Sequence, residues 1–159
     1  AAIDGECFDQ GLEMALACDL RLASSVSRFG MTYVTQGLLP WDGGTQRLAR
    51  SVGRAHALRI LLTGETIQSV EALRIGLIQE VIEGTDFWGQ ALERAATVAL
   101  GAPLAAGYAK EAILSGADLA LEHGLRLEAD LSILLHSTED RAQGIRSFRD
   151  GHPPQYEGQ

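Results

Sequence analysis

A chain of 159 residues, 46% of them hydrophobic, is long enough to form a domain with a buried core. Its formal net charge of −8 argues against a surface that binds nucleic acid or anionic membranes. No apolar run approaches the roughly 18 residues that a membrane-spanning helix needs. Because the sequence also shows no secretory signal, we expect a cytoplasmic or organelle-matrix protein.

The cysteine and histidine residues point away from a disulfide framework or a metal centre. Cys7 and Cys18 lack the CxxC spacing. A disulfide between them is possible, but we expect reduced thiols, as in a cytosolic or organelle-matrix protein. The four histidines are scattered along the chain, so we expect no metal site.

The hydrophobic pattern alternates short strands with helices up to about residue 84 and is helical beyond it. Strands are predicted at residues 1–3, 20–23, 28–30 and 77–82, with an extended link at residue 67. Residues 31–36 are ambiguous and compatible with a single helical turn, and a loop is predicted at 37–44. Helices are predicted at residues 12–18, 45–52, 54–62, 69–75, 85–100, 103–114 and 118–135. Gly53 and Gly64 are predicted C-terminal stops. Ser137 is the predicted N-cap of a last helix reaching about residue 149, with Asp140 three positions on.

The stretch Ile3–Asp19 carries the first chemical signal. An apolar strand end runs into a turn of Gly, Asp and Gln residues, and a short apolar helix follows with Glu13 in its first turn. The N–H groups at a helix start have no partner inside the helix. They can therefore hold a developing oxyanion while a carboxylate one turn in moves protons. The alternative is an ordinary strand–turn–helix in which Glu13 only favours the helix dipole.

An ordered set of motifs resembles the crotonase superfamily, that is, the enoyl-CoA hydratase/isomerase family, and it covers essentially the whole chain. Many spaced matches are far more specific than a single glycine motif. The matching residues are Ile3-Asp-Gly5, Gly11-x-Glu13-Met-Ala-x-x-Cys-Asp19, Phe29-Gly30, Gly37-Leu-x-Pro40, Gly43-Gly-Thr-Gln-Arg-Leu48, Leu62-Thr-Gly64, Ala72-x-x-x-Gly-Leu77 and Glu139-Asp-x-x-x-Gly144-x-x-x-Phe148.

The resemblance implies an α/β fold, a crotonase-like spiral of ββα repeats, followed by helices that assemble trimers or dimers of trimers. Family members are longer at the N-terminus, so the chain resembles the C-terminal part of one. Residues 1–84 would be the C-terminal part of the spiral core, and residues 85–159 a helical oligomerisation region. The implied substrate is an acyl-CoA, a coenzyme A thioester, with no permanently bound cofactor.

The resemblance also implies an oxyanion hole of two backbone N–H groups that hold the thioester oxygen as it becomes enolate-like. One donor belongs to the N-terminal half of the fold, and the other falls by position on Gln10, beside Gly11. Many members have a run of glycines where this chain has Asp9-Gln10-Gly11. Hydratases of the family use two glutamates, of which Glu13 matches the first. The second falls on Tyr33, whose phenol, with an ordinary pKa of about 10, is a poor base near pH 7 but can donate hydrogen bonds. The alternative is that Tyr33 only lines the pocket.

Two neighbouring residues set this chain apart from ordinary hydratases, which have small residues at these positions. Asp42 is a second acid/base candidate, or alternatively a turn residue ahead of a helix. Trp41 suits an acyl pocket for a cyclic or aromatic group, or alternatively packs in the core or between subunits. The leading hypothesis is an acyl-CoA-transforming enzyme with Glu13 as proton carrier. The alternatives are a hydrolase or isomerase led by Asp42 and a non-catalytic family member.

Overall fold

The computed structural model describes residues 1–159, which divide into two units, Ala1–Leu92 and Glu93–Gln159. In the first unit, two strands precede a helix twice in succession, and this is the ββα order that the resemblance implies. The predicted assignment of a core to residues 1–84 and of oligomerisation to residues 85–159 stays a prediction. None of the helices is long and apolar enough to cross a membrane.

The first unit holds two three-stranded sheets. In one sheet, all pairs are parallel and the order is β1 (Ala2–Ile3), β3 (Leu22–Ser24), β6 (Glu80–Ile82). In the other, the order is β2 (Glu6–Phe8), β4 (Arg28–Gly30), β5 (Ile67–Gln68), with a parallel β2–β4 pair and an antiparallel β4–β5 pair. The strand predicted at residues 28–30 is confirmed, whereas β2 falls where a turn was predicted.

The strand predicted at residues 77–82 is too long at its start. The N–H groups of Leu77 and Ile78 both point back to the carbonyl of Ala72, at 2.8 and 3.4 Å, and so they close the turn after a helix. The N–H of Gln79 then donates to the carbonyl of Arg21 at 3.0 Å, and the ladder begins at Glu80. An apolar run therefore divides between a turn and a strand.

Three helices lie within the first unit and a fourth begins in it. These are α1 (Gln10–Leu16), α2 (Gly44–Thr63), α3 (Ser69–Arg74) and α4 (Phe87–Ala99), and a 3-10 helix covers Tyr33–Gln36. Gly53 interrupts α2 with φ 78° and ψ 159°, so the predicted boundary between two helices is present as a break. Gly64 ends α2 in the left-handed region with φ 65°, as predicted.

The core of the first unit packs apolar side chains of α1, α2 and the second sheet together. Leu12, Phe29, Leu48 and Ile60 are completely buried. Each such side chain contributes about 1.5–3 kcal/mol through apolar surface removed from water. Cys7 is buried and Cys18 is exposed, and both are free thiols.

The second unit consists of the end of α4 and the helices α5 (Pro103–Gly116), α6 (Leu121–Leu135) and α7 (Glu139–Asp150). The predicted N-cap at Ser137 is wrong, because its hydroxyl donates backwards to the carbonyl of Leu134 at 2.8 Å. Thr138 is the N-cap and accepts from the N–H of Arg141 at 3.2 Å. Asp140 is buried instead and accepts N–H bonds from the C-terminal tail.

Candidate active site

Glu13 lies on α1 with its side chain buried at 1% exposure, where an isolated carboxylate would be costly. Three donors compensate for the lost water. Oε1 accepts from the N–H groups of Gly44 at 2.7 Å and Asp42 at 3.0 Å, and Oε2 accepts from the hydroxyl of Tyr33 at 2.6 Å. Glu13 accepts all three bonds, which is the arrangement of an ionised carboxylate.

The loop before α2 brings its backbone against Glu13. A Cβ built on Gly44 would lie 2.7 Å from Oε1 of Glu13 and 2.9 Å from Cβ of Pro40, so only glycine fits there. Gly43 precedes it with φ 90°, and the guanidinium of Arg47 donates to the carbonyl of Asp42 at 2.6 Å. The loop is therefore fixed at the point where its N–H groups meet the carboxylate.

Tyr33 reaches Glu13 from the 3-10 helix, and its side chain is 4% exposed. Burial raises the pKa of the phenol well above its usual range, and the hydrogen bond to Glu13 and the negative charge of that carboxylate raise the pKa further. The hydroxyl therefore stays protonated near neutral pH. Tyr33 serves as a hydrogen-bond donor and not as a base.

Trp41 lies edge-on against Tyr33, with ring centroids 5.2 Å apart and an interplanar angle of 64°. Its side chain is 59% exposed, so a large aromatic surface stays open beside the buried pair of Glu13 and Tyr33. Asp42 is exposed, and it is the backbone N–H of Asp42, not its carboxylate, that contacts Glu13.

Gln10 and Gly11 form the start of α1 and are exposed. Their N–H groups belong to the first turn and have no acceptor four residues back within the helix. Asp9 precedes them in the left-handed region with φ 48°, and its carboxylate binds Thr32. All six predicted site residues are thus connected, either by direct contacts or along α1. The structure joins Glu13, Tyr33, Trp41 and the Asp42 backbone by direct contacts, and α1 links Gln10 and Gly11 to Glu13.

Sequence reasoning missed the N–H groups of Asp42 and Gly44 as partners of Glu13, and the carboxylate of Asp9 as a partner of Thr32. The Gly43-Gly44 pair was a signal for unusual backbone geometry, but glycines alone do not say what approaches them. No group of three or more His, Cys, Asp or Glu side chains is placed to hold a metal ion.

The chain is similar to a known family in sequence and in fold. The sequence model of the enoyl-CoA hydratase/isomerase family matches residues 1–159. The chain is 42% identical over 158 residues to (E)-benzylidenesuccinyl-CoA hydratase of Thauera aromatica and 39% identical over 158 residues to 2,3-dehydroadipyl-CoA hydratase of Escherichia coli K12. Both alignments cover 99% of this chain and 62% of the relative.

A solved structure, that of an enoyl-CoA hydratase from Bacillus anthracis, superposes with a TM-score of 0.93 at 35% identity. The superposition covers 98% of this chain and 60% of that one. The chain belongs to the enoyl-CoA hydratase/isomerase family, whose α/β fold it shares. It spans about three fifths of the length of these three proteins.

Proposed function

We propose that the protein is an enzyme that acts on an acyl-CoA and moves a proton at the carbons next to the thioester, with Glu13 as the proton carrier. The observation that carries the proposal is the buried Glu13 carboxylate, which Tyr33 and two backbone N–H groups hold close to the start of α1. The family match supports a thioester substrate.

Hydration of an enoyl-CoA balances with this one carboxylate. Glu13 takes a proton from water while the water oxygen bonds to the β carbon, and the electron pair of the C=C bond moves onto the thioester oxygen. The N–H of Gln10 is one donor to that oxygen, and the resemblance implies a second donor outside residues 1–159. Glu13 then returns the proton to the α carbon, which restores the carbonyl. Tyr33 keeps its own proton and holds the carboxylate.

For the acyl group we propose a cyclic or aromatic substituent that packs on Trp41. The exposed ring of Trp41 beside Tyr33 supports this choice, and so does the benzylidene group in the name of the Thauera relative. A test compares cinnamoyl-CoA with crotonyl-CoA. Trp41→Ala should raise the KM for cinnamoyl-CoA about tenfold, a loss of about 1.4 kcal/mol, and change the KM for crotonyl-CoA less.

The matched control for that test is Trp88→Ala. Trp88 is 58% exposed and contacts one aromatic ring, Phe87, at 5.1 Å, so it resembles Trp41 in exposure and in contact. It should leave both KM values unchanged. Equal effects of the two substitutions on both substrates would contradict a role of Trp41 in acyl recognition.

The decisive experiment is Glu13→Gln in the full-length protein. The amide keeps an oxygen for the N–H groups of Asp42 and Gly44 but cannot take a proton, so turnover should fall by orders of magnitude while acyl-CoA binding is largely kept. Glu83→Gln, on an exposed side chain, is the control. Unchanged turnover in Glu13→Gln would refute the assignment.

A second candidate reaction uses the exposed carboxylate of Asp42, which lies in the loop that holds Glu13. Asp42 would then lead hydrolysis or isomerisation. Product analysis separates the two proposals, because Asp42→Asn should abolish hydrolysis or isomerisation but leave the hydrated product if Glu13 alone carries the proton.

We also propose that the protein forms homotrimers or dimers of trimers and works in the cytoplasm or an organelle matrix. Large exposed apolar side chains in the second unit support the assembly, among them Phe148 at 91% exposure, Leu121, Ile113 and Ile133. Light scattering on the full-length protein measures the mass directly. A monomer at micromolar concentration would contradict the assembly.

A further inference from the structure

Asp9 is the one non-glycine residue with a positive φ, at 48°. An Asp in this region costs more than a glycine, so the contacts of its side chain must favour it. Oδ1 accepts from the N–H of Thr32 at 2.6 Å, and Oδ2 accepts from the hydroxyl of Thr32 at 2.8 Å. One carboxylate thus occupies both donors of one residue.

The hydroxyl of Thr32 is itself fixed in direction. It gives its single proton to Asp9 and accepts from the side-chain amide of Gln36 at 2.9 Å. Gln36 is the last residue of the 3-10 helix that begins at Tyr33. Asp9 is therefore connected through the Thr32 hydroxyl to the helix that carries Tyr33. The two bonds from Thr32 to the Asp9 carboxylate are charge-assisted, and such bonds are about twice as strong as neutral ones.

These contacts close a ring through the site. Asp9 accepts the N–H of Glu13 on its backbone carbonyl at 2.9 Å and binds Thr32 with its side chain. Tyr33 follows Thr32 in the chain and donates to Oε2 of Glu13 at 2.6 Å. Each of the two partners, Glu13 and Tyr33, is therefore linked to Asp9 by a short path of its own.

The strand ladder does not supply this link. Phe8 and Gly30 are the last paired residues of β2 and β4, and the N–H of Asp9 still donates to the carbonyl of Gly30 at 3.0 Å. Beyond that point, the side chain of Asp9 is the connection from the start of α1 to Thr32.

We infer that Asp9 and Thr32 are a pair of positioning residues that set the Tyr33 hydroxyl against the Glu13 carboxylate for proton transfer. The inference rests on the proposed function of Glu13. Neither residue contacts the reacting atoms, and both act through Tyr33. A mutation far from the reacting atoms that misplaces a group by about 1 Å can lower the rate about a hundredfold. Loss of the contact between Asp9 and Thr32 should therefore lower the rate strongly even if the structural change is small.

The kinetic test uses variants of the full-length protein that separate the backbone of Asp9 from its side chain. Asp9→Gly relieves the positive φ but deletes both bonds to Thr32, and it should lower kcat by about tenfold to a hundredfold with KM changed less than about threefold. Thr32→Val should lower kcat in the same direction, and Thr32→Ser, which keeps the hydroxyl, should restore it. Asp4→Gly, on an exposed side chain, is the control for Asp9→Gly.

A double variant tests whether Asp9 acts through Tyr33. If it does, Asp9→Gly combined with Tyr33→Phe should be no slower than Tyr33→Phe alone, because both remove one pathway. Rate losses that multiply would overturn the inference, and so would a kcat for Asp9→Gly equal to that of the wild type.

A readout without turnover keeps the inference separate from the proposed function. The amide proton of Thr32 should exchange with solvent at least about tenfold faster in Asp9→Gly than in the wild type, since its acceptor is gone. If the wild type turns over no acyl-CoA, the proposed function fails, and this exchange rate still decides on the link. An unchanged exchange rate at Thr32 would refute the positioning pair whatever the activity.

Discussion

The hydroxyl of Tyr33 donates a 2.6 Å hydrogen bond to Oε2 of Glu13, and both side chains are buried. At the position where the resemblance implies a second glutamate, the chain therefore has a donor that completes the set of bonds around the first. A second carboxylate at this distance would repel Glu13, whereas the phenol stabilises it.

Tyr33→Phe should lower the free energy of unfolding by about 1.5–3 kcal/mol near pH 7, because a hydrogen bond to a charged group is lost in a buried site. The pKa of Tyr33 is raised in the folded protein, so the stabilisation is fully present below the unfolded pKa of about 10 and declines as the pH rises above it. Urea unfolding from pH 7 to pH 11 should show the gap between wild type and variant narrowing above pH 10. Tyr108→Phe, in the second unit, is the control, and an equal effect on its pH dependence would contradict the prediction.

Gly44→Ala should lower stability by about 1–3 kcal/mol, since the added methyl group would overlap Oε1 of Glu13 and Cβ of Pro40 in a packed site. It should also lower acyl-CoA turnover if Glu13 carries the proton. Gly107→Ala is the matched control, because its Cβ would meet no atom within 4 Å in the interior of α5. Gly107→Ala should raise the free energy of unfolding by about 0.5–1 kcal/mol. Chemical denaturation of both variants measures the difference, and equal shifts of the same sign would count against the steric account.

Asp140→Ala should release the end of the chain. Asp140 is buried and accepts from the N–H groups of Glu157 at 2.9 Å and Gly158 at 3.0 Å, while its own N–H donates to the carbonyl of Gln159 at 3.0 Å. The amide protons of Glu157 and Gly158 should exchange faster in the variant, as mass spectrometry of peptides from this segment would show. Asp130→Ala, on the exposed side of α6, should leave them unchanged. Rapid exchange at both amides already in the wild type would disprove the contact.

Cys18 should react with an alkylating reagent long before Cys7. Burial raises the pKa of the Cys7 thiol to about 11, so at pH 8 this residue is both protonated and shielded, whereas Cys18 is exposed. Intact-mass measurement over time should show one fast addition, which Cys18→Ser removes. Two additions at equal rates in the native protein would contradict the burial of Cys7.

Local sequence signals, such as a glycine at a helix end, predicted the parts of the fold that carry such a signal. Gly53 and Gly64 mark helix ends because a positive φ suits glycine, and the structure puts both residues in that region. The strand β2 was missed because three residues between Gly5 and Asp9 carry too little alternation to outweigh turn residues on both sides. The cap at Thr138 was missed because the acidic Asp140 stands three positions after Ser137 and favours Ser137, and only the hydrogen bonds show that Thr138 is the cap.

The sequence pointed to Glu13 and Tyr33 as neighbours, but it did not predict the hydrogen bonds around them. Glu13 stood out as a carboxylate in a first helical turn, and the motif register placed Tyr33 opposite it. The N–H of Gly44 lies 31 residues from Glu13 in sequence, and a backbone donor has no residue type by which a sequence reveals it. The contact between Thr32 and Asp9, 23 residues apart, was equally hidden, because nothing in the sequence distinguishes Thr32 from other loop threonines.

The edge-on contact between Trp41 and Tyr33 makes the fluorescence of Trp41 sensitive to the surroundings of Tyr33. Indole fluorescence depends on the polarity around the ring, and the chain has two tryptophans, Trp41 and Trp88. Replacing Trp88 by phenylalanine would leave Trp41 as the single indole emitter, half in solvent and half against Tyr33. If an acyl group binds beside Glu13 as proposed, a shift in the Trp41 emission during rapid mixing would report its arrival with no label attached.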